Sequence, residues 1–147
     1  MAQTGARVDP YVNYNFLVEI DGIIRAGFQE VGGLDSSIEI VEHREGGDNT
    51  TVRKLPAMAK YSNLTLKWGV TDDAQLWDWH QKWVAGDPAV GRKNGSVILL
   101  DRQGKEKARW NFFSAWPAKW TGPAFNAEGK DVAIESLELA HEGIKRA

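Results

Sequence analysis

Hydrophobic and polar residues alternate along most of this chain with the two-residue period of half-buried strands. Residues 13–20 are aromatic and β-branched, and Asp21-Gly22 separates them from a second such run at 23–28. An Asp-Gly pair in that position predicts a tight hairpin. Val31-Gly32-Gly33-Leu34 breaks the pattern. Two alternating strands follow at 36–43 and 62–68, with Ile38, Ile40, Leu64, Leu66 and Trp68 on the faces assigned to the core. Residues 96–101 form an apolar run, 102–105 a turn, and 106–116 a long strand. Pro117 and Thr121-Gly122-Pro123 predict an irregular connection before a last strand at 131–141. In that strand Val132 and Ile134 fall on one face and Leu137 and Leu139 on the other, which predicts a β-bulge or burial on both sides.

One segment has the other period. Leu76, Trp79, His80 and Trp83 recur at spacings of three and four, which predicts a helix over about 72–85. Asp72 with Gln75 makes a capping box, and Thr71 is an alternative cap. Gly86 and Pro88 end the helix. The fold class expected is therefore mostly β: one barrel or sandwich domain over 1–147 with a single flanking helix. A long extended loop over 43–60, about eighteen residues, stands out. It carries both charge signs and an apolar patch (Leu55, Ala57, Met58), which suits a contact arm better than an active-site lid.

Composition narrows the function. The chain has 147 residues, enough for one sizeable core, and a net charge of −2, without the basic excess of a nucleic-acid binder. It has no cysteine, which excludes disulfides and thiolate metal sites. No apolar run is long enough for a membrane-spanning segment, and the N-terminus lacks the apolar stretch of a signal peptide, so synthesis in a cytoplasm is expected. Seven tryptophans imply a tryptophan-rich core, some of them free to anchor an interface.

Chemistry is hard to find. His141-Glu142 opens like a metalloprotease helix, but Lys145 stands where the second histidine is needed. His80 lies on the helix stripe and reads as a packed, hydrogen-bonded residue; His43 sits among charges. The glycine pairs at 32–33 and 46–47 lack a following Gly-Lys-Ser/Thr, and no serine has a nucleophile-elbow setting. The basic stretch Arg102, Lys105, Lys107 and Arg109 reads as a solvated hairpin tip. No catalytic residue, metal site or cofactor is expected, and the chain reads as an assembly or binding module rather than an enzyme.

Several segments in order resemble one family. Asp9-Pro10-Tyr11-Val12-Asn13-Tyr14-Asn15-Phe16, Phe28-Gln29-Glu30-Val31-Gly32-Gly33-Leu34, Arg44-Glu45-Gly46-Gly47, Arg53-Lys54-Leu55-Pro56, Lys60-Tyr61-Ser62-Asn63-Leu64, Trp116-Pro117-Ala118-Lys119-Trp120 and Ile134 through Gly143 together resemble the tail tube proteins of contractile phage tails and phage-tail-like injection systems. Those are related to the ring protein of type VI secretion. Trp68 departs from the pattern, which has a charged residue there in many relatives. The resemblance implies hexameric rings that stack into a hollow tube inside a contractile sheath. The implied partners are the chain itself, sheath, baseplate and spike, and tube-terminator proteins, with protein cargo or DNA in the lumen. It also implies assembly into a phage tail or an injection particle.

On that footing Arg44, Glu45, Gly46, Gly47, Asp48, Arg53, Lys54, Leu55 and Met58 are expected at subunit and ring contacts, with residues 1–8 as a flexible or contact arm. If Ile38, Ile40, Leu64, Leu66 and Trp68 face the core, Ser37, Glu39, Asn63, Thr65 and Lys67 face away and line the channel. A free secreted ring carrying effectors, and a monomeric ligand-binding β-barrel, are the alternatives.

Overall fold

The computed structural model of the chain describes residues 15–21, 23–25, 28–44, 46–47 and 51–147. Among these residues ten strands and one helix follow in order: β1 (Phe16–Ile20), β2 (Ile23–Arg25), β3 (Phe28–Gly32), β4 (Ser36–His43), β5 (Arg53–Tyr61), β6 (Leu64–Gly69), α1 (Gln75–Val84), β7 (Lys93–Leu100), β8 (Glu106–Thr121), β9 (Ile134–Ala140) and β10 (Gly143–Arg146). The first hairpin forms as its turn signal predicts, with Ile20 opposite Ile23.

The strands run β2-β1-β7-β8-β9-β6-β3, all neighbours antiparallel, with β10 added beside β8. The path folds into two facing layers, so the architecture is sandwich-like. Among the described residues it does not close into a barrel, because β2 and β3 stand at its two ends.

β8 makes the corner, and it continues through the stretch where the sequence predicts an irregular connection. Its first half lies between β7 and β10, and its second half pairs with β9. Ser114 turns the strand with φ 54°, and its N–H donates to Asn94 Oδ1 at 2.9 Å. Pro117 is fully buried within the strand rather than in a break after it. A proline fits here because the register slips between Pro117 and Lys119, and because β7 has already ended. The phase shift foreseen for the last strand has a simpler origin: Val132 precedes β9, and the bulge belongs to β8.

The core lies between the layers. Val18, Ile20, Leu64, Leu66, Trp68, Val97, Phe112, Leu137 and Leu139 meet there, with Leu76 and Trp79 from the helix. Each large apolar side chain buried this completely contributes about 1.5–3 kcal/mol. Trp68, the departure from the family pattern, is therefore a core residue and not a surface one. Gly95 allows the tightest approach in this core: a Cβ there would stand 2.3 Å from Phe112 Cζ and 2.5 Å from the Glu19 carbonyl oxygen.

The helix packs on β8. Trp77 meets Trp120 edge-on at 5.1 Å, Trp83 lies 5.5 Å from Trp116, and His80 Nδ1 is 3.2 Å from the Pro117 carbonyl oxygen, to which it donates. The helix starts three residues later than its capping signal. Asp73, not Asp72, accepts the Gln75 N–H at 3.0 Å, and Thr71 accepts the Asp73 N–H at 3.3 Å. Gly86 closes the helix, its N–H bonded to the Trp83 carbonyl oxygen.

Candidate assembly interface

Residues 43–60 are not a loop throughout. Arg53–Tyr61 is a strand, and it pairs with β4 as a long two-stranded arm. The pairing explains itself residue by residue: Val41 stands opposite Leu55, Glu42 opposite Lys54, and Ile38 opposite Ala59. Apolar and opposite-charge pairs of this kind each add a few tenths of a kcal/mol up to about 1 kcal/mol. The register slips between Ile38 and Ile40, so β5 carries an extra residue near Met58. Glu39 and Lys60 form an ion pair across the arm at 3.7 Å.

Every residue of both strands is exposed. Ile38 and Ile40 are 60% and 59% exposed and Met58 73%, which overturns the assignment of Ile38 and Ile40 to the core. The extensive contacts of β4 and β5 are with each other. A lone two-stranded ribbon is marginal in water. This arm has apolar side chains on both faces, and its root is fastened to the body.

The root is specific. Gly33 takes φ +90°, and a Cβ there would lie 2.1 Å from the Asn63 carbonyl oxygen, so only glycine lets the incoming and outgoing chains pass. His141 Nε2 donates to the Ser62 carbonyl oxygen at 2.8 Å, and the Tyr61 ring tilts against the imidazole at 5.8 Å. Neither Tyr61 nor His141 was singled out from sequence as part of the arm. Their pairing is long-range, and no local pattern announces it.

The residues expected at contacts fall on this arm. Arg44, Gly46 and Gly47 lie at its tip, Arg53, Lys54 and Leu55 along its outer half, and Met58 at the slip. Glu45 and Asp48 lie outside the described residues, as do residues 1–8. The residues expected to line a channel separate into two places. Ser37 and Glu39 belong to the arm and Asn63 to its root, whereas Thr65 and Lys67 stand on β6, opposite in direction to buried Leu64, Leu66 and Trp68.

That outer sheet face is polar and charge-paired. Lys67 meets Glu30 at 3.5 Å and Lys119 meets Glu138 at 3.8 Å. Exposed pairs of this kind contribute little to stability, about 0–1 kcal/mol each. Two residues of the basic stretch after β7 are also charge-paired, Lys107 with Asp101 at 3.8 Å and Arg109 with two carboxylates. Arg109 bonds Glu106 at 2.7 Å and Glu19 at 3.4 Å, and the Glu106 hydrogen bond raises its guanidinium pKa further. Among the described residues no three His, Asp or Glu side chains gather to hold a metal ion.

The family described as T4-like virus tail tube protein gp19 matches residues 12–145. The chain belongs to this family. Among solved structures, this tail tube protein is similar to a chain of the anti-feeding prophage baseplate, determined by cryo-EM with six-fold symmetrisation. The two share 25% identity over 96% of this chain and 97% of that one, with a TM-score of 0.86. A chain of the sheath-tube complex of the extracellular contractile injection system PVC, in its extended state, shares 28% identity over 94% and 91%, with a TM-score of 0.80. Hcp1 from Flavobacterium johnsoniae shares the fold, at 14% identity over 90% and 94% and a TM-score of 0.54. The comparison with curated proteins gives no match.

Proposed function

We propose that this chain is the building block of the inner tube of a contractile injection particle or phage tail. Copies join in six-membered rings, and the rings stack into a hollow tube held inside a contractile sheath. The role is structural rather than catalytic. The family match across residues 12–145 carries the reading. The exposed arm supplies a physical means, since Ile38, Ile40, Leu55 and Met58 are apolar side chains that an isolated subunit leaves in water.

In this reading Arg44, Glu45, Gly46, Gly47, Asp48, Arg53 and Lys54 set the register of subunit contacts, and Leu55 and Met58 anchor them. The polar sheet face with Thr65 and Lys67 forms the channel wall, with Asn63 at its margin and Ser37 and Glu39 reaching it from the arm. Protein cargo or DNA passes along that wall. The partners are sheath, baseplate and spike, and a tube terminator, a view supported by the baseplate and sheath-tube assemblies that contain similar chains. The chain is made in a cytoplasm and acts in the assembled particle.

Negative-stain electron microscopy of the purified protein across a concentration series tests this. Six-fold rings or hollow tubes are expected. Dispersed monomers at every concentration count against the tube and favour a monomeric binding protein.

A further inference from the structure

A second exposed apolar patch lies at the far end of the sheet from the arm. Val70, Val132 and Ile134 are all exposed, Val132 at 73%. Val132 and Ile134 border Gly69, with Ile134 paired to Gly69 across β6 and β9, and the Val70 N–H ties the strand end by donating to the Ala133 carbonyl oxygen at 3.0 Å. A Cβ on Gly69 would meet Val132 Cγ1 at 3.6 Å, so the missing side chain leaves a shallow floor beside the valine. Exposed carboxylates flank the patch in sequence, Asp72 beyond Val70 and Asp131 before Val132.

We propose that this patch receives the β4–β5 arm of a second copy of the chain. The inference rests on the tube reading and names the surface its arm would use. The topology supplies the argument. β6 starts beside the arm root at Ser62-Asn63 and ends at Gly69-Val70. β9 runs back, from Ile134 at the patch to His141 at the root. Arm and patch therefore occupy opposite ends of the same pair of strands. A contact between unlike ends of identical subunits is heterologous and propagates as a stack.

The lengths agree. β4 has 8 residues and spans about 26 Å, whereas β6 has 6 and spans about 20 Å at ~3.3 Å per residue. An arm longer than the strand it continues into reaches a copy stacked end-on. The chemistry also agrees: Leu55 and Met58 match Val132 and Ile134, and Arg44 and Lys54 match Asp72 and Asp131.

The absence of cysteine makes the test clean. Met58→Cys and Val132→Cys are placed together in one chain, assembled, and treated with a short bis-maleimide. A head-to-tail contact gives a ladder of covalent multimers on a denaturing gel, while each single variant stops at dimers. Tubes from the double variant that give no ladder overturn the docking but leave the tube reading standing. Absence of rings and tubes from the unmodified chain overturns the tube reading, and absence of a ladder as well overturns both. As a second variant, Val132→Asp lies outside any strand and should keep the native circular dichroism. It should raise the protein concentration needed for tubes about tenfold or more. An unchanged threshold overturns the proposal.

Discussion

Trp68 and Glu135 face each other across β6 and β9, and the indole N–H of Trp68 donates to Glu135 Oε2 at 3.0 Å. The tryptophan is fully buried, so its polar atom is met by a carboxylate at the rim of the core. Glu135→Gln retains an acceptor and should leave stability nearly unchanged. Glu135→Leu removes it and should cost about 1–3 kcal/mol, the usual penalty for a buried donor left without its partner. Urea unfolding of both variants separates the hydrogen bond from simple packing.

Gly95→Ala should be severe for so small a change. The added carbon collides with the Phe112 ring on one side and with backbone on the other, and backbone cannot swing away. A loss of about 1–3 kcal/mol is expected, the range for an overpacked core. Thermal unfolding compared with Gly91→Ala, where the added carbon meets nothing within 4 Å, makes the control.

Leu55→Asp and Met58→Asp should leave the subunit folded and abolish assembly. Both side chains are exposed, so the effect on folding should stay within about 1 kcal/mol, the most that a cross-strand pair such as Val41 with Leu55 adds. Sedimentation velocity reads assembly and circular dichroism reads the fold. Tubes indistinguishable from the unmodified protein would remove the arm from the interface.

Cysteines introduced at 39 and 65 should react slowly with a bulky thiol reagent in assembled tubes, and quickly in free subunits. Equal rates in the two states would place neither Glu39 nor Thr65 on a protected surface.

Asp101 gives a pH dependence. Its carboxylate is held below the usual range mainly by the Lys105 N–H, with a further N–H from Gln103. A depressed acid stabilises the fold above its unfolded pKa of about 3.9, and that contribution is lost as pH falls through the folded value. The turn Asp101–Lys105 should therefore stay closed at neutral pH and loosen only below about pH 4. Amide exchange at Lys105 across pH 3–6, against Asp101→Asn, follows it.

What could be read from sequence was what has a local cause. The hairpin of β1 and β2 and the helical spacing of Leu76 and Trp79 each need only neighbours in the chain. The arm was misread for a physical reason. Ile38 and Ile40 alternate with polar residues as a buried strand does, and alternation does not say whether the same chain covers them. Arg53 to Tyr61 looked like loop because its strand carries Pro56 and many charges, which an exposed ribbon tolerates and a core strand does not. Pro117 signalled a break that β8 avoids by slipping register. The root contacts of Tyr61 and His141 span about eighty residues of chain and have no sequence signature.

β8 belongs to both layers of the sandwich. A push or pull on one layer thus passes to the other along covalent bonds, without relying on side-chain packing between them. The antiparallel body would resist such a load as a unit. The ribbon of β4 and β5, held by one pair of strands, would yield first, so in the tube proposed above the weak element under a sudden axial thrust would be the joint between subunits and not the subunit itself.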